Sequence, residues 1–209
     1  MMSNKLKKLF LSLLIFTIIA VILFFTLGYF QSRKTIRITF ENITKIELVE
    51  FRTLKPISVI KNSGDNVTIN KNTRYKLVYK AKDGYESGNI AVDNEQNTID
   101  IKPYYSIEKL DSLLTDADVA TIHSLIKNSY DKSTLDQYNI EKGRLYHYGY
   151  WYSTSLVYKQ NYNDVSDTLH IIAKKSAQGW EIVADPSITF DRLNNPSVPI
   201  DILQSINAK

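Results

Sequence analysis

Four tyrosines spaced two apart, Tyr146, Tyr148, Tyr150 and Tyr152, with Trp151 among them, are the side chains in this sequence best suited to binding chemistry. As one continuous strand, the run puts the tyrosines on one face and His147 and Trp151 on the other. A row of phenols combines apolar rings with hydroxyl donors, so it suits a sugar, a peptide or an aromatic ligand. A row of large side chains on one sheet face is also what a core needs, and packing is the commoner use. Trp180 reads the same way, as a packing residue on a hairpin.

Catalysis needs convergent polar groups, and few are set up locally. His123, His147 and His170 lie in separate segments, and His-Glu-x-x-His, Gly-x-Ser-x-Gly and phosphate-cradling glycine patterns are all absent. An enzyme, a small-molecule hydrolase or isomerase, requires the fold to bring His147, His170 and Asp167 or Glu181 together in a pocket. Asp164 and Asp167 hint at calcium, but their spacing lacks the loop glycine and distal glutamate of a calcium site. The sequence contains no cysteine, which excludes disulfides and thiolate metal sites. No catalytic residue, metal or cofactor is therefore assigned.

The elements that must position these groups follow an apolar run from Leu9 to Phe30, preceded by Lys5, Lys7 and Lys8 and followed by Arg33 and Lys34. At about 1.5 Å per residue it reaches about 33 Å as a helix, so a transmembrane helix over residues 9–30 is expected, with residues 1–8 as a cytoplasmic tail. The alternative is a secretory signal cut after Gly28, against which the length of the run argues. The expected location is the cell membrane, single-pass, with the C-terminal domains extracytoplasmic.

The same segment explains the charge. The chain is formally +4 with a pI near 9.0. Residues 1–34 hold five of the 26 basic residues and no acids, which leaves 21 basic against 22 acidic residues beyond them. No basic track interleaved with aromatics follows, so no nucleic-acid partner is expected.

From Thr35 to Pro103 the pattern is all-β, with short alternating runs such as Ile36/Ile38/Phe40, Ile46/Leu48 and Tyr75/Leu77/Tyr79/Ala81. Asp83-Gly84 marks a turn. A β-sandwich domain over residues 35–103 is expected. The stretch Tyr75-Lys76-Leu77-Val78-Tyr79-Lys80-Ala81-Lys82-Asp83-Gly84-Tyr85, with Ile90-Ala91-Val92 and Ile99-Asp100-Ile101, resembles the second half of a PEGA or carboxypeptidase-regulatory-like domain. The family's Pro-Glu-Gly-Ala element is missing, and Lys55-Pro56-Ile57-Ser58 stands nearby. That resemblance implies a noncatalytic spacer or adhesion-like module.

Near Ser106 the texture changes to helical spacing. Ser106 and Thr115 are expected N-caps, with Val119, Ile122, Leu125 and Ile126 as an apolar stripe. Three strand-like segments follow, Leu145 to Lys159, Thr168 to Lys174 and Trp180 to Ala184, and Pro199 opens a closing helix over residues 199–207. Residues 107–207 therefore read as an α+β domain, helices on a curved antiparallel sheet. The layout resembles nuclear-transport-factor-like and cystatin-like cones. Gly149-Tyr150-Trp151-Tyr152, Gly179-Trp180-Glu181-Ile182-Val183 and Pro199-Ile200-Asp201-Ile202-Leu203 together resemble uncharacterised single-pass bacterial surface proteins, which implies location and architecture only.

The reading as a whole is a membrane-anchored extracytoplasmic binding or envelope-assembly module. Its partners are the membrane through residues 9–30 and a protein or glycan at the surface. A noncatalytic subunit of a membrane complex is a third reading, which the small residues Ser12, Ala20 and Gly28 would serve as a helix-packing stripe.

Overall fold

The computed structural model describes residues 4–159 and 168–208, without the side chains of 4–12, 25, 27, 30 and 31. Asp164 and Asp167 lie outside the described residues. The protein is mostly β, with 41% of it in strands, and has five helices among the described residues.

Helix α1 spans Asn4–Gln31. Thr17 and Thr26 turn their hydroxyls back onto the carbonyls of Leu14 and Leu23, and the apolar side chains from Leu13 to Phe24 are exposed. Among the described residues, no helix is long and apolar enough to cross a membrane. This corrects the expected fold class, which began with a transmembrane helix over 9–30.

The chain divides into two compact units: residues 1–82 with 87–103, and residues 83–86 with 104–209. In the first, alternation determines burial. Strand β5 (Tyr75–Ala81) buries Tyr75, Leu77 and Ala81, while the intervening Lys76 and Lys80 point away. It pairs antiparallel with β2 (Ile43–Glu50) and β6 (Gly88–Val92), and β3 (Pro56–Ile60) completes a four-stranded sheet in the order β3-β2-β5-β6. A second sheet has β1 (Arg33–Phe40) between β4 (Asp65–Asn70), antiparallel, and β7 (Thr98–Ile101), parallel. Ile36, Ile38 and Ile101 of this sheet share one core with Ile46, Leu48 and Leu77 of the other.

The second unit holds the helices and one antiparallel sheet. Ser106 caps α2 (Ile107–Leu113) by accepting from the Lys109 N–H, and Thr115 caps α3 (Asp116–Ser129) by accepting from the Asp118 N–H. Asp131 caps the short α4 (Lys132–Leu135). The sheet runs β12 (Gly179–Ser187), β11 (Leu169–Ser176), β10 (Trp151–Tyr158), and two short strands, β8 (Tyr138–Ile140) and β9 (Arg144–Tyr146), both pair with β10. Helix α5 (Ile200–Asn207) closes the chain, with Pro199 as its N-cap residue.

Helices cover this sheet on both faces. Leu110, Ile122, Ile126 and Leu135 of α2–α4 pack on Tyr152, Leu156 and Ile171. On the opposite face, Ile202, Leu203 and Ile206 of α5 pack on Trp151 and Ile172. Period-two alternation along β10 and β11 feeds both cores, so a helix is needed on each side.

Candidate ligand cleft beside the closing helix

The aromatic run 145–152 folds back on itself instead of extending. His147, with φ +57°, and Gly149, with φ +83°, both take left-handed backbone, and the Gly149 N–H donates to the Tyr146 carbonyl at 2.9 Å. Gly149 adopts that φ without steric cost, and the resulting turn joins β9 to β10. Tyr146 then lies opposite Trp151, and Leu145 opposite Tyr152. The single-face row is thereby corrected: Tyr146 and Trp151 face α5, and Tyr152 faces α2–α4.

The five candidate residues are thus separated. Tyr152 is 1% exposed, donates its hydroxyl to the Lys142 carbonyl at 2.6 Å and meets Trp180 edge-on at 6.0 Å. Burial pushes its pKa up to about 12. Trp151 is buried in the α5-side core, with the Lys174 ammonium 5.2 Å from its ring centre. Tyr150 is exposed. Tyr148 packs edge-on against Tyr104 and Tyr105 at 5.3 and 5.4 Å. Of the five, only Tyr146 lines the cleft described next.

That cleft has a volume of about 220 Å³ and lies wholly within the second unit. One wall is built on backbone pairing: Tyr85 bridges Tyr105, the Glu86 N–H donates to the Tyr104 carbonyl at 2.9 Å, and the Tyr105 N–H donates to the His147 carbonyl at 2.9 Å. These bonds hold His147 in its left-handed conformation and stack its ring on Tyr104, with centroids 3.9 Å apart and planes 3° from parallel. Its Nε2 lies 2.7 Å from Asp201 Oδ2 in the first turn of α5, where the helix dipole favours a carboxylate.

Arg144 ties the floor together. Its Nε donates to the Tyr146 hydroxyl at 2.6 Å, and its Nη2 donates to Ser205 on α5, at 2.5 Å to the hydroxyl and 3.2 Å to the carbonyl. Tyr146 in turn lies 2.8 Å from the Ser153 hydroxyl. Glu86 and Asp111 line the rim. The result is a cleft lined by aromatic rings and by the carboxylates of Glu86, Asp111 and Asp201, in which Arg144, Tyr146 and Ser205 are already paired with one another.

No family model matches this chain, and neither a curated protein nor a solved structure does. The site is therefore argued from its geometry. The three histidines stay apart: His147 meets Asp201, His123 Nε2 lies 3.1 Å from the Glu141 carbonyl, and the buried His170 has Nδ1 3.2 Å from the Ser155 hydroxyl. Glu181 lies across from Lys174 in the β11–β12 ladder, away from that pair. Among the described residues, no group of three or more His, Asp or Glu side chains is arranged to hold a metal ion.

Sequence reasoning missed Tyr104, Tyr105, Glu86, Arg144, Asp201 and Ser205. The usable signal was Gly149, since a glycine inside an aromatic strand pattern marks a bend. Nothing local connects Asp201 with His147, 54 residues earlier.

Proposed function

We propose that this protein is a noncatalytic binding module of the cell envelope, and that the cleft between Tyr104, His147 and α5 takes a saccharide. The observation that carries the reading is the parallel Tyr104–His147 stack set beside Glu86, Asp111 and Asp201. Aromatic surface suits the apolar side of a sugar ring, and carboxylates accept its hydroxyls. Isothermal titration of the full chain with defined oligosaccharides tests this. Binding that weakens at least about tenfold in Tyr104→Ala, the loss of one aromatic contact and its buried area, supports it. Absence of any saccharide binding, with crosslinking that recovers one stoichiometric protein instead, favours the complex-subunit reading.

The proposal includes association with a membrane surface, supported by the exposed apolar side chains of α1. Flotation with phospholipid vesicles, lost when residues 4–31 are deleted, is the expected result.

One observation favours a second reading. The 2.7 Å His147–Asp201 pair lines a cleft, an arrangement suited to proton transfer. Saccharide turnover abolished in Asp201→Asn, with binding retained, would replace the noncatalytic reading by this one.

A further inference from the structure

A second cavity in the same unit, of about 550 Å³, is formed by the end of α3, α4, β8 and the residue after β10. Lys127, Lys132 and Lys159 line it, and among the described residues its only acidic lining residue is Asp136. Lys159 donates to the Asp136 carbonyl at 2.8 Å, which holds its ammonium at the cavity. Asp131 next to Lys132 is engaged elsewhere, accepting from the Ser133 hydroxyl and from the Thr134 N–H at 3.3 Å as the cap of α4. Among the described residues, none of the three lysines has an ion-pair partner.

Like charges held around one cavity repel, and a bound anion relieves that repulsion. Lys127 is in the last turn of α3, where the helix carbonyls favour a cation. Asn128 and Asn139 add amides to the lining, and Tyr138, set edge-on to Tyr158 at 5.4 Å, gives with Ile140 an apolar wall. The volume exceeds what a bare inorganic anion needs, so an organic body is accommodated as well.

We infer that this cavity binds a phosphate-bearing small molecule, its phosphoryl oxygens on the lysine ammonium groups and its organic part against Tyr138 and Ile140. Lysine serves as a point charge for phosphate without the fixed fork of arginine. A soluble phosphorylated compound and a phospholipid headgroup share this chemistry. A nucleic-acid backbone fits less well, because the chain beyond residue 34 carries 21 basic against 22 acidic residues and no extended basic track.

The test titrates the full chain with inorganic phosphate, glycerol phosphate and, at matched ionic strength, chloride, and follows backbone amide shifts. Saturable shifts confined to α3, α4 and β8, with glycerol phosphate the tighter ligand, are expected. Lys127→Gln/Lys132→Gln weakens binding at least about tenfold through loss of two charge-assisted contacts. Lys80→Gln/Lys82→Gln in the first unit, which alters net charge equally, changes it less than about twofold. All four lysines are exposed, and circular dichroism of each variant checks that the fold is intact. Titration with glycerophosphoglycerol, the soluble headgroup of phosphatidylglycerol, separates the sources: binding tighter than that of glycerol phosphate and lost in the Lys127/Lys132 variant assigns a lipid headgroup, and weaker binding than that of glycerol phosphate assigns a soluble phosphorylated compound. Chloride reproducing the shifts, or the folded double variant binding phosphate like the unaltered chain, overturns the proposal.

Discussion

Replacing Asp118 with asparagine should destabilise the second unit by an amount that depends on pH. Its carboxylate accepts from the Thr115 hydroxyl at 2.7 Å, the Trp180 indole at 3.1 Å and the Lys175 ammonium at 3.2 Å, while its own N–H donates to Thr115 at 3.1 Å. One side chain thus secures the first turn of α3 and fastens it to the β11–β12 hairpin. The Thr115 bond is the main cause, opposed by burial and aided by Trp180 and Lys175, that lowers its pKa from 3.8 to about 2. At about 1.36 kcal/mol per unit, the full conversion is about 2.4 kcal/mol. The side chain is 23% exposed, and solvent screening reduces this to about 1–1.5 kcal/mol. Because the folded pKa is depressed, the stabilisation is present in full above about pH 3.8 and lost as pH falls towards about 2.

The assay is urea denaturation followed by tryptophan fluorescence. Both tryptophans, Trp151 and Trp180, lie in the second unit, so the signal reports that unit. Asp118→Asn should cost about 1–1.5 kcal/mol near neutral pH and converge with the unaltered chain at about pH 2. An equal difference at both pH values would refute the charged-acceptor account and leave only the shape of the side chain.

Gly143→Ala should cost about 2–4 kcal/mol in the same assay, since a Cβ there would lie 2.4 Å from the Ser153 carbonyl and 2.5 Å from the Tyr152 hydroxyl, at φ +63°. Full stability would show that the β9–β10 edge yields. Tyr152→Phe should cost about 1–2 kcal/mol at neutral pH by removing the donor to the Lys142 carbonyl. Burial raises the pKa of Tyr152 to about 12, so its contribution is present below about pH 10 and lost as pH rises towards 12. The variant's alkaline denaturation profile should be correspondingly flatter.

Local chemistry was legible wherever its partners are near in sequence. Ser106 and Thr115 cap their helices through bonds to residues three positions on. The Tyr75–Ala81 alternation separates its buried face from its lysines, and the Gly179 turn closes β11 onto β12. The aromatic run was not legible, because alternation predicts faces only while the backbone stays extended. Gly149 and His147 reverse it, and Tyr146 and Tyr152 go to opposite cores. The transmembrane reading of 9–30 rested on run length, and among the described residues no helix is long and apolar enough to cross a membrane.

By itself, then, the amino-acid order determined the caps, the turns, the alternation of individual strands and the removal of excess positive charge from everything beyond residue 34. Each depends on interactions a few residues long. Tertiary structure alone decided that α5 covers the second face of the sheet, that Asp201 meets His147 and that Ser205 meets Arg144. Those contacts join segments 54 and 61 residues apart. Their partners are chosen by which faces pack, a choice that no short window of sequence contains.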